Sequence, residues 1–213
     1  MSLMKRLRSE TREQHEAIER TPLAKGLLAG TLTRHLYGRQ LAAYFVVHDS
    51  LEHAVYDNKD HRVQALAQVC PRRSLWIESD LAALGARWED LVPSLSSSRV
   101  IGAIGRDQGA SLVGRLYVME GSSLGALFLL PRLRETLGLL SDECRYYSGL
   151  GPKTMEQFRS FGAEVDASFT SPAEQEAAIE GARSMFREVQ AMFEEIQPVP
   201  SVSRASVPCG ATL

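Results

Sequence analysis

The chain is short of several features that would each have fixed a class of function. Its 213 residues include three cysteines, Cys70, Cys144 and Cys209, far apart and with no C-x-x-C pair. Neither a disulfide framework nor a thiolate metal site is expected, and a reducing compartment is the simpler setting. Neither sign of charge dominates: 24 Lys+Arg against 26 Asp+Glu leave a net charge of -2, so no basic field awaits nucleic acid. No run approaches ~18 uninterrupted apolar residues, so no membrane span is expected. Residues 1–20 alternate in charge and lack the apolar centre of a secretory signal. Strand alternation, hairpin dipeptides and internal repeats are missing. So is any Glu-x-x-His pair, the metal motif of di-iron helical bundles. The expectation is a cytoplasmic protein with no nucleic-acid or membrane partner.

What the chain does have is helical periodicity. Leu3, Leu7, Thr11, His15 and Ile18 fall on one stripe, and Thr21-Pro22 ends that first helix. A long second helix starts at Thr33 as N-cap, carries Leu36, Gln40, Ala43, Val47, Leu51 and Val55, and stops near Tyr56 before a polar cluster. Further helical patterns cover 62–68, 71–84, 153–169 and 172–197, the last with Ser171 as N-cap and Pro172 at the first helical position. Residues 93–98 read as a loop, and 100–137 are apolar but studded with glycine at 102, 105, 109, 114, 121 and 125. The expected fold is all-α, seven or eight helices around one core over residues 1–197. Residues 198–213, with three prolines and no periodicity, read as a mobile tail.

Two tempting motifs fail. Gly121-Ser122-Ser123-Leu124-Gly125 is formally G-x-S-x-G, but an α/β-hydrolase places its histidine after the serine, and all five histidines precede Ser123. His15-Glu16 with Glu19 resembles a zincin helix that has lost its second histidine, and no third ligand is evident.

One constellation survives. Arg8 and His15 are two helical turns apart on one face, roughly 10 Å along the axis. That spacing suits a flat ligand such as heme, with imidazole to iron and guanidinium to a propionate. A lone helical histidine is more often an ordinary core or surface residue. Gly121 and Gly125 each cost a helix interior ~1 kcal/mol relative to alanine and so want a reason. Either another helix packs closely there, or a ligand face does, with Ser122 and Ser123 adding weak polarity.

The segment Leu7-Arg8-Ser9-Glu10-Thr11-Arg12-Glu13-Gln14-His15-Glu16-Ala17-Ile18-Glu19 resembles the proximal helix of the heme oxygenases. Leu116-Tyr117-Val118-Met119-Glu120-Gly121-Ser122-Ser123-Leu124-Gly125-Ala126-Leu127-Phe128-Leu129 resembles the distal helix of their bacterial branch. The helix holding Tyr44 to Glu52 and the segment from Ser171 to Glu195 fit the same pattern, so the resemblance covers most of residues 3–197.

This resemblance implies a heme-sandwiching helical bundle that cleaves heme, its substrate and cofactor together, with O2 and external electrons to biliverdin, carbon monoxide and ferrous iron. It makes His15 the iron ligand and places Gly121, Ser122, Ser123 and Gly125 at the reacting face. Arg8, Tyr117, Arg132 and Arg159 become candidate heme contacts beside His15, Gly121 and Gly125. Several positions depart from the family: Ser122 stands where animal enzymes carry an aspartate, Ala126 replaces a second consecutive glycine, a propionate-contacting tyrosine falls on Leu116 with Tyr117 next to it, and the basic positions of the penultimate helix hold Phe158 and Gly162 with Arg159 nearby. The implied electron donor is ferredoxin or a flavoprotein reductase. A basic rim of Lys5, Arg6, Arg12 and Arg115 would attract an acidic donor, although a solvated helix face explains it equally well. The alternative reading is a heme or tetrapyrrole carrier on the same scaffold, without turnover.

Overall fold

A computed structural model describes residues 1–91 and 94–196; the expected tail at 198–213 lies outside the described residues. The fold is all-helical, as expected, with no strand among the described residues. In chain order the helices are α1 (Leu3–Glu10), α2 (Arg12–Glu19), α3 (Pro22–Ala29), α4 (Arg34–Tyr56), α5 (His61–Ala65), α6 (Arg73–Ala83), α7 (Trp88–Leu91), α8 (Ser94–Arg106), α9 (Ala110–Leu137), α10 (Arg145–Ser148), α11 (Thr154–Ser168) and α12 (Pro172–Glu195). The count exceeds seven or eight because α5, α7 and α10 are single turns, too short to carry a hydrophobic period.

The long elements start where their caps predict. Thr33 Oγ1 accepts the Leu36 N–H, and Thr21 Oγ1 accepts the Ala24 N–H ahead of Pro22. Ser171 and Glu174 form a reciprocal capping box around Pro172. Two expectations need correction. The first helix is divided at Thr11, whose hydroxyl donates to the Leu7 carbonyl at 2.7 Å. The backbone bonds Thr11 N–H to Leu7 and His15 N–H to Thr11 persist, so the helix bends there without breaking. The second concerns the serines expected in a loop at 93–98. They enter α8 from Ser94, with Ser96 and Ser97 buried, because the amphipathic run Val100, Ala103, Ile104 behind them draws that end onto the core.

The packing centre is α9 against α12. A Cβ added at Gly114 would lie 1.8 Å from the Ala178 carbonyl oxygen, and one at Gly181 would lie 2.1 Å from that of Ser111. Each helix therefore uses a glycine to let the other's backbone touch it. α1, α2, α3 and α8 also lie on α12, while α4 packs against α6, α7, α8 and α9. Leu7, Tyr37, Leu41, Leu51, Ile77, Val113, Phe161 and Met185 make the centre of one continuous apolar core.

By length and composition alone α9 could cross a membrane, but 56% of its most apolar window is buried within the protein. It also carries two charged residues inside the fold. Arg115 is pinned by Asp107 and by Glu188 at 2.6 Å, so it is an internal clamp and not part of a basic rim. Arg6 likewise bonds Glu10 at 2.8 Å and Glu176 at 2.5 Å, and Arg12 bonds Glu16 at 2.8 Å. Of the expected rim, Lys5 alone carries no ion-pair partner among the described residues.

Candidate functional site

The two glycines that motivated a ligand-facing patch do not pack as Gly114 does. A Cβ at Gly125 would meet nothing within 4 Å, and one at Gly121 would meet only a ring carbon of Phe158 at 3.9 Å. Close helix packing therefore does not explain them. Tyr117, Gly121 and Gly125 recur every four residues and so follow one another along one face of α9. At the start of that stripe, Tyr117 packs on Phe158 of α11 with ring centroids 6.4 Å apart. Burial raises its phenol pKa, and the Arg8 charge and the Thr11 hydroxyl partly oppose the rise. This places Arg8 and Thr11, where α1 meets α2, near Tyr117.

His15 projects from α2 with 62% of its side chain exposed, although its stripe-mates Leu3 and Leu7 are fully buried. α2, beyond the interruption at Thr11, has no fully buried residue, although Ile18 of the same stripe still packs against the core. The imidazole meets the ring of Phe186 edge-on, centroids 5.9 Å apart, and its Nδ1 lies 3.5 Å from a Glu19 carboxylate oxygen. Phe186 belongs to α12, the same helix on which α9 rests, so one element sets the position of both the histidine helix and the glycine helix. With Nδ1 turned to Glu19, Nε2 is the nitrogen left for an external partner.

The two serines are not equivalent. Ser123 is buried and donates to the Glu120 carbonyl of its own helix at 2.6 Å. Ser122 is half-buried; it donates to the Met119 carbonyl at 2.7 Å and lies 3.3 Å from the Tyr146 hydroxyl. Tyr146 in turn lies 3.2 Å from His48 Nε2. Burial pushes the Tyr146 phenol up to about 12, against the opposing Ser122 bond, and holds His48 well below its ordinary pKa. Both groups are neutral at pH 7.

Of the remaining expected residues, Arg8 and Arg159 are exposed and have no ion-pair partner among the described residues. Arg159 immediately follows Phe158, the ring beneath Gly121. Arg132 is engaged elsewhere, with Nη2 on the Ala29 carbonyl at 3.0 Å and Nη1 3.8 Å from Glu135, against the end of α3.

Sequence reasoning missed the polar groups behind α9. Arg73 is 1% exposed and makes a two-pronged ion pair with Glu120, 2% exposed, at 3.2 and 2.8 Å. Gln157 bridges Glu120 to the Val69 carbonyl. No local pattern marks these residues, since Arg72-Arg73 reads as a solvated pair. His48 carried one signal: it stands between Val47 and Leu51, on the buried side of α4.

The profile of the heme oxygenase family matches residues 1–195. A sequence comparison with curated proteins gives no match. Among solved structures, a heme oxygenase from Leptospira interrogans superposes with a TM-score of 0.83 at 22% identity, covering 92% of this chain and 100% of that one. Heme oxygenase-1 from Synechocystis, in complex with heme, gives 0.82 at 18% identity over 92% and 93%. A TenA homologue from P. horikoshii gives 0.69 at 14% identity over 92% and 98%, so the fold is shared beyond the heme oxygenases. With its profile matched over residues 1–195, this chain belongs to the heme oxygenase family.

Proposed function

We propose that the protein is an oxygen-dependent heme oxygenase that seats heme between the His15 side of α2 and the glycine face of α9. The observation that carries this reading is the contrast among glycines of one helix. Gly114 is consumed by helix packing, whereas a Cβ would meet nothing within 4 Å at Gly125 and only the edge of the Phe158 ring, at 3.9 Å, at Gly121. Such a face admits a planar macrocycle at van der Waals distance.

The residues present fit that group. His15 Nε2 is the iron ligand in this reading, and Glu19 beside Nδ1 steadies the ring's orientation. Arg8 and Arg159, exposed and without an ion-pair partner among the described residues, answer the propionates; Tyr117 borders the same edge. Bound heme supplies both the iron that activates dioxygen and the carbon skeleton cleaved to biliverdin, carbon monoxide and ferrous iron. The chain's part is to bind, orient and protonate. The bare backbone of Gly121 and Gly125 restricts the room above the ring, and Ser122 presents a hydroxyl that can exchange its Met119 partner for one on the open side. The electrons come from an external donor, ferredoxin or a flavoprotein reductase. The free thiols Cys70 and Cys144 suit a reducing cytoplasm.

A second reading, a heme carrier without turnover, rests on the open face offering Ser122 where a carboxylate would carry charge. Reduction of the hemin complex under air, with catalase present, separates the two. The enzyme converts its Soret band into the broad red absorbance of a bilin. A Soret band that survives overturns the oxygenase reading.

A further inference from the structure

Behind the glycine face runs a hydrogen-bonded chain that crosses from α9 through α10 to α4. Ser122 Oγ lies 3.3 Å from the Tyr146 hydroxyl, which lies 3.2 Å from His48 Nε2. Beyond His48 is an internal cavity of about 20 Å³ that His48, Glu52, Cys70 and Glu120 help to line. That volume has room for one water, with His48, Glu52 and Glu120 as polar groups in its wall. Glu52 closes the far side: its carboxylate takes the Ser74 backbone N–H at 3.0 Å and the Ser74 hydroxyl, and lies 3.6 Å from half-exposed Arg72.

We propose that Ser122, Tyr146 and His48 form a neutral proton relay feeding the glycine face from this internal cavity, with Glu52 as its entrance from solvent. The proposal rests on the heme-oxygenase reading and assigns its proton source. In this chain a serine, Ser122, opens the relay.

The donors and acceptors balance in only one direction. Ser122 donates to Met119 O at rest, so its oxygen accepts from Tyr146, and Tyr146 accepts from His48 Nε2–H. When a basic oxygen on the open side takes the Ser122 proton, Ser122 draws one from Tyr146, and Tyr146 draws one from Nε2. Nδ1 then takes a proton from the cavity water, which Glu52 replenishes; a return to the starting tautomer resets the chain. No net charge remains on any member. Burial chiefly keeps His48 neutral, and Arg73 of α6, salt-bridged to Glu120 of α9, adds to this by repelling a second proton. Its other neighbours, Tyr44 and Tyr146, are neutral phenols, and burial favours the protonated form of Glu52. Asp80 is a positioning residue. Its carboxylate takes the backbone N–H groups of Arg145 and Tyr146 at 2.7 and 2.9 Å, fixing the turn that aims Tyr146.

Two measurements test this on the full chain. In the hemin-free protein, ¹⁵N-histidine NMR should find His48 as the neutral Nε2–H tautomer from pH 8 to 5, relaxing toward a tautomer mixture in Tyr146→Phe. An Nδ1–H tautomer in the wild type, or a His48 that titrates near its ordinary value, would overturn the relay whatever hemin does. With hemin bound, wild-type turnover should stay flat between pH 6 and 8. Tyr146→Phe should bind hemin equally but turn over about tenfold to a hundredfold slower at pH 8, recovering about tenfold per unit of acidification as protons arrive from bulk solvent. Ser122→Ala, whose lost hydroxyl bonds only its own helix and Tyr146, should behave alike if the tyrosine variant folds poorly. Variants that bind hemin and keep the wild-type pH profile overturn the relay alone; failure of the wild type to bind hemin overturns the functional reading and the relay together.

Discussion

Gly125→Ala and Gly114→Ala make the same chemical change in the same helix, and the structure gives them opposite signs. At Gly125 the new methyl meets nothing within 4 Å, so the hemin-free protein gains only helix propensity, about 1 kcal/mol. For a chain of this size that raises Tm by about 2–4 °C. At Gly114 the methyl would lie 1.8 Å from Ala178 O, 2.7 Å from its carbonyl carbon and 2.8 Å from Ala182 N. These are backbone atoms that no rotamer change can move, so α9 and α12 must separate by more than an ångström. Overpacking of that kind costs about 3 kcal/mol or more, well above the propensity gain. Tm should fall by roughly 5 °C or more. Thermal unfolding of the two hemin-free variants reads the signs directly, and hemin titration completes the test: Gly125→Ala should bind hemin more weakly while being the more stable protein. If Gly125→Ala is destabilised like Gly114→Ala, the bare face is a packing surface and the ligand reading of that glycine is wrong.

Other consequences can be checked individually. His15→Ala should leave the unfolding midpoint within about 0.5 kcal/mol of wild type, because the side chain is largely exposed, while weakening hemin binding at least tenfold. Glu120→Gln should destabilise by about 3–5 kcal/mol in denaturant titration, since it leaves the buried Arg73 charge without its partner. Burial raises Asp80 to about 6, above its unfolded value of 3.8, so the folded state holds the extra proton between those limits. This group's contribution to stability is therefore present at low pH and is lost as pH rises through about 6. Asp80→Asn should lose that decline from its own stability–pH curve, so that the difference between the wild-type and variant curves falls between about pH 4 and 6. Arg8→Ala should raise the Tyr117 pKa further in ultraviolet titration, because a charge that now opposes the rise is gone.

Much of this architecture was legible before any coordinates, for local reasons. Thr33, Ser171 and Pro172 announce their helices because capping is a matter of neighbouring atoms. The Leu3–Leu7–Thr11 stripe announces its buried face in the same way. What could not be read is what depends on partners distant in sequence. Gly114 and Gly121 look alike in the chain and differ only in whether α12 is opposite. Arg115 looks like a surface cation until Asp107 and Glu188 close on it, and Arg73 until Glu120 does. The bend at Thr11 was hidden because a threonine is tolerated in an unbroken helix. Its hydroxyl bond to Leu7 decides otherwise.

The central claim is that His15 and the glycine face hold one heme between them. Titrating wild type and His15→Ala with hemin, each with and without added imidazole, tests it most directly. The account predicts a one-to-one Soret band in the wild type, its loss or marked weakening in the variant, and its return when imidazole fills the place of the missing side chain. A variant whose band matches wild type and ignores imidazole would contradict it.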